Sequence, residues 1–167
     1  MLGDAPVEVE TPNRPARVVV TSGSDEKLAR AQQLGAAGGA NYKTGDWAKE
    51  IVKLTGGAGP DVVIDSAGGE TFDKAIGIVR PAGRVVTYGA TTGPVPQVEV
   101  RRIFWKQLNV LGSTMGTPRE FAAMLELYGR GAARPVVDRT FPLAEAAAAH
   151  RRMEEAEQFG KIVLAIG

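Results

Sequence analysis

Apolar positions along the chain keep two rhythms in alternation. Short β-branched runs predict strands at Arg17–Thr21, Asp61–Asp65, Arg84–Tyr88, Asn109–Ser113 and Lys161–Ile166. Val18-Val19-Val20 and Val62-Val63-Ile64 are continuous rather than alternating, which predicts strands covered by helices on both faces. Between these runs the apolar residues recur at helical spacing. Leu28, Ala31 and Leu34 mark one face of a helix that starts after Ser24 and ends at Gly35. Ser24 suits the N-cap, and Asp25 and Glu26 suit the positive end of the dipole. A second helix begins near Asp46 and carries Trp47, Ile51 and Leu54. A third carries Phe72, Ile76 and Val79 and is stopped by Pro81 and Gly83. Another opens at Pro118 with Phe121, Leu125 and Tyr128, and the last spans about Leu143–Glu155. Strands alternating with helices predict an α/β fold with a parallel sheet in one domain, residues 16–167.

Residues 1–15 differ in character, being rich in proline and acidic residues, with one short alternating stretch, Val7-Glu8-Val9-Glu10. They read as an N-terminal arm or an edge strand with one wet face.

Composition narrows the function classes. With 20 basic against 19 acidic residues and no run of like charge, the chain offers no track for a phosphate backbone or an anionic membrane surface. It has no cysteine and one histidine, His150, so disulfides, thiolate zinc ligation and a zinc site within this chain are not expected. His150 reads as a packed or surface histidine rather than a general base. No signal-peptide pattern and no long apolar span is present, so a cytoplasmic protein is expected. Gly56-Gly57-Ala58-Gly59 looks like a phosphate cradle, but it leads into a strand, whereas a phosphate loop must open onto a helix N-terminus.

Several segments in register carry more specific information. They are Ala16–Leu28, Leu34-Gly35-Ala36 through Asn41-Tyr42, Gly59–Gly68, Arg84–Ala90, Gln107–Thr114 and Phe159–Leu164. Their order and spacing resemble the nucleotide-binding domain of the medium-chain dehydrogenase/reductase family, the zinc-type alcohol dehydrogenases and quinone oxidoreductases. The resemblance implies a Rossmann-like doubly wound sheet and a nicotinamide cofactor laid along the carboxyl ends of its strands. In that family the second strand ends at the adenosine ribose, where a carboxylate selects NAD. Here the turn is Thr21-Ser22-Gly23-Ser24, and no carboxylate comes before Asp25. Ser22 and Ser24, with Lys27 one helical turn on and Tyr42 beyond, imply a site for the 2′-phosphate of NADP(H). The plainer alternative makes Lys27 a solvated helix lysine and Tyr42 an ordinary packed ring. By the same resemblance Ser66, Gly68 and Gly89 lie under the cofactor path, unless they are simply turns after strands. Lys161 then stands near the cleft, or is a charge at a strand edge. Pairing of sheets edge to edge in similar proteins implies a homo-oligomer.

The sequence also departs from the family. No Gly-x-Gly-x-x-Gly follows a first strand: the nearest candidates, Gly57-Ala58-Gly59 and Gly129-Arg130-Gly131, are followed three residues on by Val62 and Arg134. The first strand-turn-helix unit and the catalytic domain are therefore expected to be missing from this chain. In the order 3-2-1-4-5-6 that strand lies mid-sheet, so two half-sheets with unpaired edges are expected unless Pro6–Glu10, a partner or a swapped segment fills the gap. The function implied is an NADP(H)-dependent oxidoreductase reduced to its cofactor-binding domain. The alternative is a noncatalytic assembly module; an S-adenosylmethionine transferase would want a glycine-rich first turn and an acidic end to the second strand, and both are missing.

Overall fold

A computed structural model describes residues 16–167, together with the backbone of Glu10–Thr11 (β1) and Arg14–Pro15 (β2), which pair antiparallel. The rest of the arm, and with it any role of Pro6–Val9 in filling a gap, lies outside the described residues. The chain divides into two compact units at Ser113 and Thr114.

The first unit holds β3 (Val19–Ser22), α1 (Asp25–Gln33), β4 (Gly38–Asn41), α2 (Trp47–Leu54), β5 (Val62–Asp65), α3 (Gly69–Ile78), β6 (Arg84–Thr87), α4 (Val100–Trp105) and β7 (Asn109–Gly112). Side chains start these helices where the sequence places them. Ser24 and Asp46 accept the N–H groups of Lys27 and Lys49 at the first turns of α1 and α2. The second unit holds α5 (Pro118–Gly129), β8 (Val137–Pro142), a 3-10 turn (Leu143–Glu145), α6 (Ala146–Glu154) and β9 (Lys161–Ala165). A capping box of Thr117 and Glu120 opens α5, with Pro118 just inside it.

All strand pairs after the arm are parallel, in a Rossmann-like α/β arrangement, and among the described residues the sheet of the first unit is interrupted. β3 pairs with β4, and β5 with β6 and β7, but β3 and β5 are not paired with each other. The interruption falls where the first strand of the order 3-2-1-4-5-6 would lie. Helix α2 packs on β3, β4 and α3, and α3 packs on β5. The core of this unit is Ala75, Ile76, Val79 and Val85, with Phe72, Val63, Ile103 and Leu108 against it, so α3 and α4 cover one face of the second half-sheet.

Its other face corrects the expectation of double cover. Val62 and Ile64 are exposed, Ile64 by 60%. The apolar run is there, but on the face of β5 that carries Val62 and Ile64 it is only partly covered. The predicted last helix also begins later, since Leu143–Glu145 is a 3-10 turn, and β4, β8 and α4 stand where no element was predicted.

The second unit closes differently. Phe141, Ala149 and Phe159 are buried, and Arg152 grips Asp138 with two bonds, Nε to Oδ2 at 2.7 Å and Nη2 to Oδ1 at 3.1 Å, fastening α6 to β8. His150 is exposed on α6.

Candidate functional site

Two loops at the carboxyl ends of strands gather most of the predicted site residues, and they are built in opposite ways. After β3 the chain turns through Ser22, Gly23 and Ser24 into α1. Ser22 is buried, and its Oγ accepts the Ser24 N–H at 3.3 Å, while Ser24 Oγ accepts the Lys27 N–H at 3.4 Å. Both hydroxyls thus act as acceptors that order the turn, and each keeps its own proton to donate. The neighbouring strand supplies the lid of this turn. The Tyr42 N–H donates to the Ser22 carbonyl at 3.0 Å, and the Asn41 side-chain oxygen accepts the Lys43 N–H at 2.9 Å. A β-carbon on Gly23 would stand 2.8 Å from Lys43 Cε and 2.9 Å from the Tyr42 hydroxyl. Tyr42 and Lys43 therefore fold back over the turn, into the space that glycine leaves. The first carboxylate of α1, Asp25, is held by the Asn41 amide, Nδ2 to Oδ1, at 2.7 Å.

The structure thus brings Ser22, Ser24 and Tyr42 together, with Lys27 on the first turn of α1. It adds Gly23, Asn41 and Lys43, which are not among the predicted site residues. Asn41-Tyr42-Lys43 following a strand was the available signal, since Asn readily folds such a turn on itself.

After β5 the loop is sealed from within. The buried Asp65 carboxylate accepts the N–H groups of Ala67 at 3.2 Å and Gly68 at 3.1 Å and the Thr71 hydroxyl at 3.3 Å. The loop after β6 locks onto it: Thr91 N–H donates to the Ser66 carbonyl at 3.2 Å, and Thr92 donates to the Ala67 carbonyl through its N–H and its hydroxyl, each at 2.9 Å. The glycines make room for this closure. Gly68 has φ +67, and a β-carbon there would come within 2.8 Å of the Ala90 backbone; one on Gly89 would come within 2.9 Å of the Ser66 carbonyl. Gly68 and Gly89 thus let two backbones meet. Ser66 is buried, and its hydroxyl finds no hydrogen-bond partner among the described residues. Lys161 belongs to the second unit, where it opens β9, its N–H donating to Val136.

This arrangement can hold an anion at the first loop. Two O–H donors, a phenol and an ammonium surround one small-residue turn at the start of a helix dipole, a donor set suited to a phosphate monoester. No group of three or more His, Cys, Asp or Glu side chains able to hold a metal occurs among the described residues. No described helix is long and apolar enough to cross a membrane.

Residues 13–130 match the profile of the zinc-binding dehydrogenases. The chain belongs to that family. The match covers the interrupted sheet and runs to the end of α5. Among curated members of the family the chain is 37% identical over 155 residues to a zinc-type alcohol dehydrogenase-like protein of Leptosphaeria maculans, covering 88% of this chain and 43% of that one. It is 35% identical over 159 residues to a 2-haloacrylate reductase of a Burkholderia species, covering 89% of this chain and 48% of that one. A solved structure described as an NAD-dependent alcohol dehydrogenase superposes with a TM-score of 0.82 at 40% identity, over 90% of this chain and 44% of the other. The chain thus spans about half the length of the relatives it matches, which include alcohol dehydrogenase-like proteins, a quinone oxidoreductase and a reductase.

Proposed function

We propose that this chain is the adenosine-binding part of an NADP(H)-dependent oxidoreductase of the quinone or alcohol type. The carrying observation is the turn after β3. It presents two unspent hydroxyl protons, with the Tyr42 hydroxyl and the Lys43 side chain folded over Gly23. Its nearest carboxylate, Asp25, is already occupied by Asn41. A carboxylate that must accept two ribose hydroxyls is best left open, and a 2′-phosphate is best met by donors and a cation. The residues fit the adenosine end of the cofactor: Ser22 and Ser24 donate to the phosphate, Tyr42 closes over it, and the helix dipole of α1 adds positive potential. The nicotinamide supplies the hydride chemistry when the cofactor is bound. Gly68 and Gly89 keep the loops under its path closed. The expectations of a homo-oligomer and of a cytoplasmic site belong to this same reading.

The test is a pair of cofactor fragments. Adenosine 2′,5′-bisphosphate is expected to bind the full chain about ten- to a hundredfold more tightly than AMP, the worth of one charge-assisted contact. Isothermal calorimetry measures both. Equal affinities, or tighter binding of AMP, would move the assignment to NAD, for which the likeness to a structure described as an NAD-dependent alcohol dehydrogenase speaks. Binding of neither would favour a noncatalytic assembly module, the reading that the interrupted sheet supports.

A further inference from the structure

We propose that Lys106 is a site of covalent acylation by acyl phosphates, and that acylation there releases the carboxyl end of α3 from α4.

Helix α3 ends without a backbone cap. Val79, the residue that follows it, is extended (φ −62, ψ 139) rather than left-handed, and the Ile76 and Gly77 carbonyls receive no backbone N–H among the described residues. Lys106 supplies the missing donors from the end of α4. Its Nζ donates to the carbonyls of Gly77 at 2.5 Å, Val79 at 3.0 Å and Ile76 at 3.4 Å. Its own carbonyl accepts the Ala82 N–H at 2.7 Å. One residue thus ties together α3, the turn before β6 and the end of α4, with its charge at the negative end of the α3 dipole.

The same ring leaves the amine open to chemistry. Lys49 and Lys53 are held by the carboxylates of Asp46 and Glu50, whereas the partners of Lys106 are neutral carbonyls and the side chain stays partly exposed. Partial burial, and after it the Arg102 guanidinium one turn earlier on α4, hold the Lys106 ammonium below the ordinary lysine value, which raises the share of free amine. Arg102 spends one N–H on Asp73, at 3.1 Å, and a guanidinium has five to give, so it can also meet the phosphate of an acyl phosphate. The amine nitrogen then attacks the acyl carbon, the bond from that carbon to the phosphate oxygen breaks, inorganic phosphate leaves and the amine proton passes to solvent. The product is a neutral amide. It keeps one N–H where the ammonium had three, so it cannot satisfy the ring of carbonyls. Acylation occurs when the side chain has left the ring, and it prevents the return.

The experiment treats the full chain with acetyl phosphate, reads the acetylated positions by peptide mass spectrometry and follows thermal unfolding, for wild type, Lys106→Arg and Arg102→Gln. Lys106 is expected to be acetylated in the wild-type chain, and the unfolding midpoint of the modified protein to fall by about 4–8 °C, the scale of charge-assisted bonds lost from a chain of this size. Lys106→Arg keeps a cation at the ring and has no amine to acylate, so its midpoint should move by less than about 2 °C on the same treatment. Arg102→Gln should slow acetylation of Lys106 about threefold relative to Lys49, the scale of one exposed charge. Acetylation of Lys49 and Lys53 with none at Lys106 overturns the proposal. A midpoint that falls equally in wild type and Lys106→Arg overturns it as well, because the effect would then come from other lysines.

Discussion

The loops after β3 and β5 stand at the same place in their strands and start from similar residues, a buried serine followed closely by glycine, yet they spend their hydrogen bonds differently. After β5, Asp65, Thr71, Thr91 and Thr92 meet the backbone groups of residues 66–68, and what they enclose is more protein. After β3, Ser22 and Ser24 use only their acceptor sides, and the groups laid over the turn are the side-chain ends of Tyr42 and Lys43. A loop that satisfies itself serves as scaffold, because a ligand would have to break bonds to enter. A loop that keeps donors and a cation in reserve can bind without that penalty. Substitutions that hurt the first should therefore act on stability, and those that hurt the second should act on binding.

The largest effect is expected at Asp65. Asp65→Ala leaves the N–H groups of Ala67 and Gly68 and the Thr71 hydroxyl without their acceptor in a buried loop, and each buried group left unmet costs about 1–3 kcal/mol. Because the loop can relax toward water, a total loss of about 3 kcal/mol is expected by urea unfolding. A loss below about 1 kcal/mol would mean that the loop is not sealed as described.

Next come the glycines, where one change tests both loops. Gly68→Ala meets a positive φ and the Ala90 backbone together, and is expected to cost about 1–3 kcal/mol. Gly23→Ala meets only the ends of two flexible side chains, so thermal unfolding should stay close to wild type. Its new methyl should displace Lys43 and Tyr42 and reduce the preference for adenosine 2′,5′-bisphosphate. Equal destabilisation by both substitutions would erase the distinction between scaffold and binding loop.

Acid sensitivity offers a third test. Glu99 caps α4, and bonds from the Arg101 guanidinium and N–H lower its carboxyl from 4.5 to about 2. A carboxyl lowered by folding stabilises the fold above its unfolded value and loses that contribution as pH falls through the folded one. The stability gap between wild type and Glu99→Gln should therefore be full above about pH 4.5 and close as pH falls toward 2. A gap that persists unchanged at pH 2 would show that Glu99 acts by packing rather than charge.

How much of this was legible in the sequence follows from what is local. The caps at Ser24 and Asp46 and the proline opening α5 are written in adjacent residues, and they form as read. The β-branched runs became strands within two residues of their predicted ends. Strand β4 was missed because Gly38-Gly39-Ala40-Asn41 has no β-branched residue. Its glycine is explained only across the sheet, where a β-carbon on Gly39 would meet Leu28 and the Val20 carbonyl. Lys43 escaped for the same reason, since its place over Gly23 depends on the pairing of β3 with β4. The partial exposure of Val62 and Ile64 is not legible in the sequence, because an apolar run records what a strand can pack against and not how fully it is covered.

The smallest effect is expected at Ser66, and its value lies in the contrast with Ser22. Both serines are buried at the ends of parallel strands. Ser22 Oγ accepts the Ser24 N–H, so Ser22→Ala strips a turn donor of its partner and should cost about 1 kcal/mol. It should also weaken adenosine 2′,5′-bisphosphate binding, because one of the hydroxyls that the proposed reading assigns to the phosphate is gone. Ser66 Oγ has no partner among the described residues, so Ser66→Ala removes a hydroxyl whose burial is uncompensated. The relief of that desolvation opposes the small void left by one oxygen, and stability should stay within about 0.5 kcal/mol of wild type or rise. Urea unfolding of the two single variants decides it. A loss at Ser66 equal to that at Ser22 would mean that the Ser66 hydroxyl is bonded in solution, and the loop after β5 would then hold a polar contact that its sealed geometry does not show.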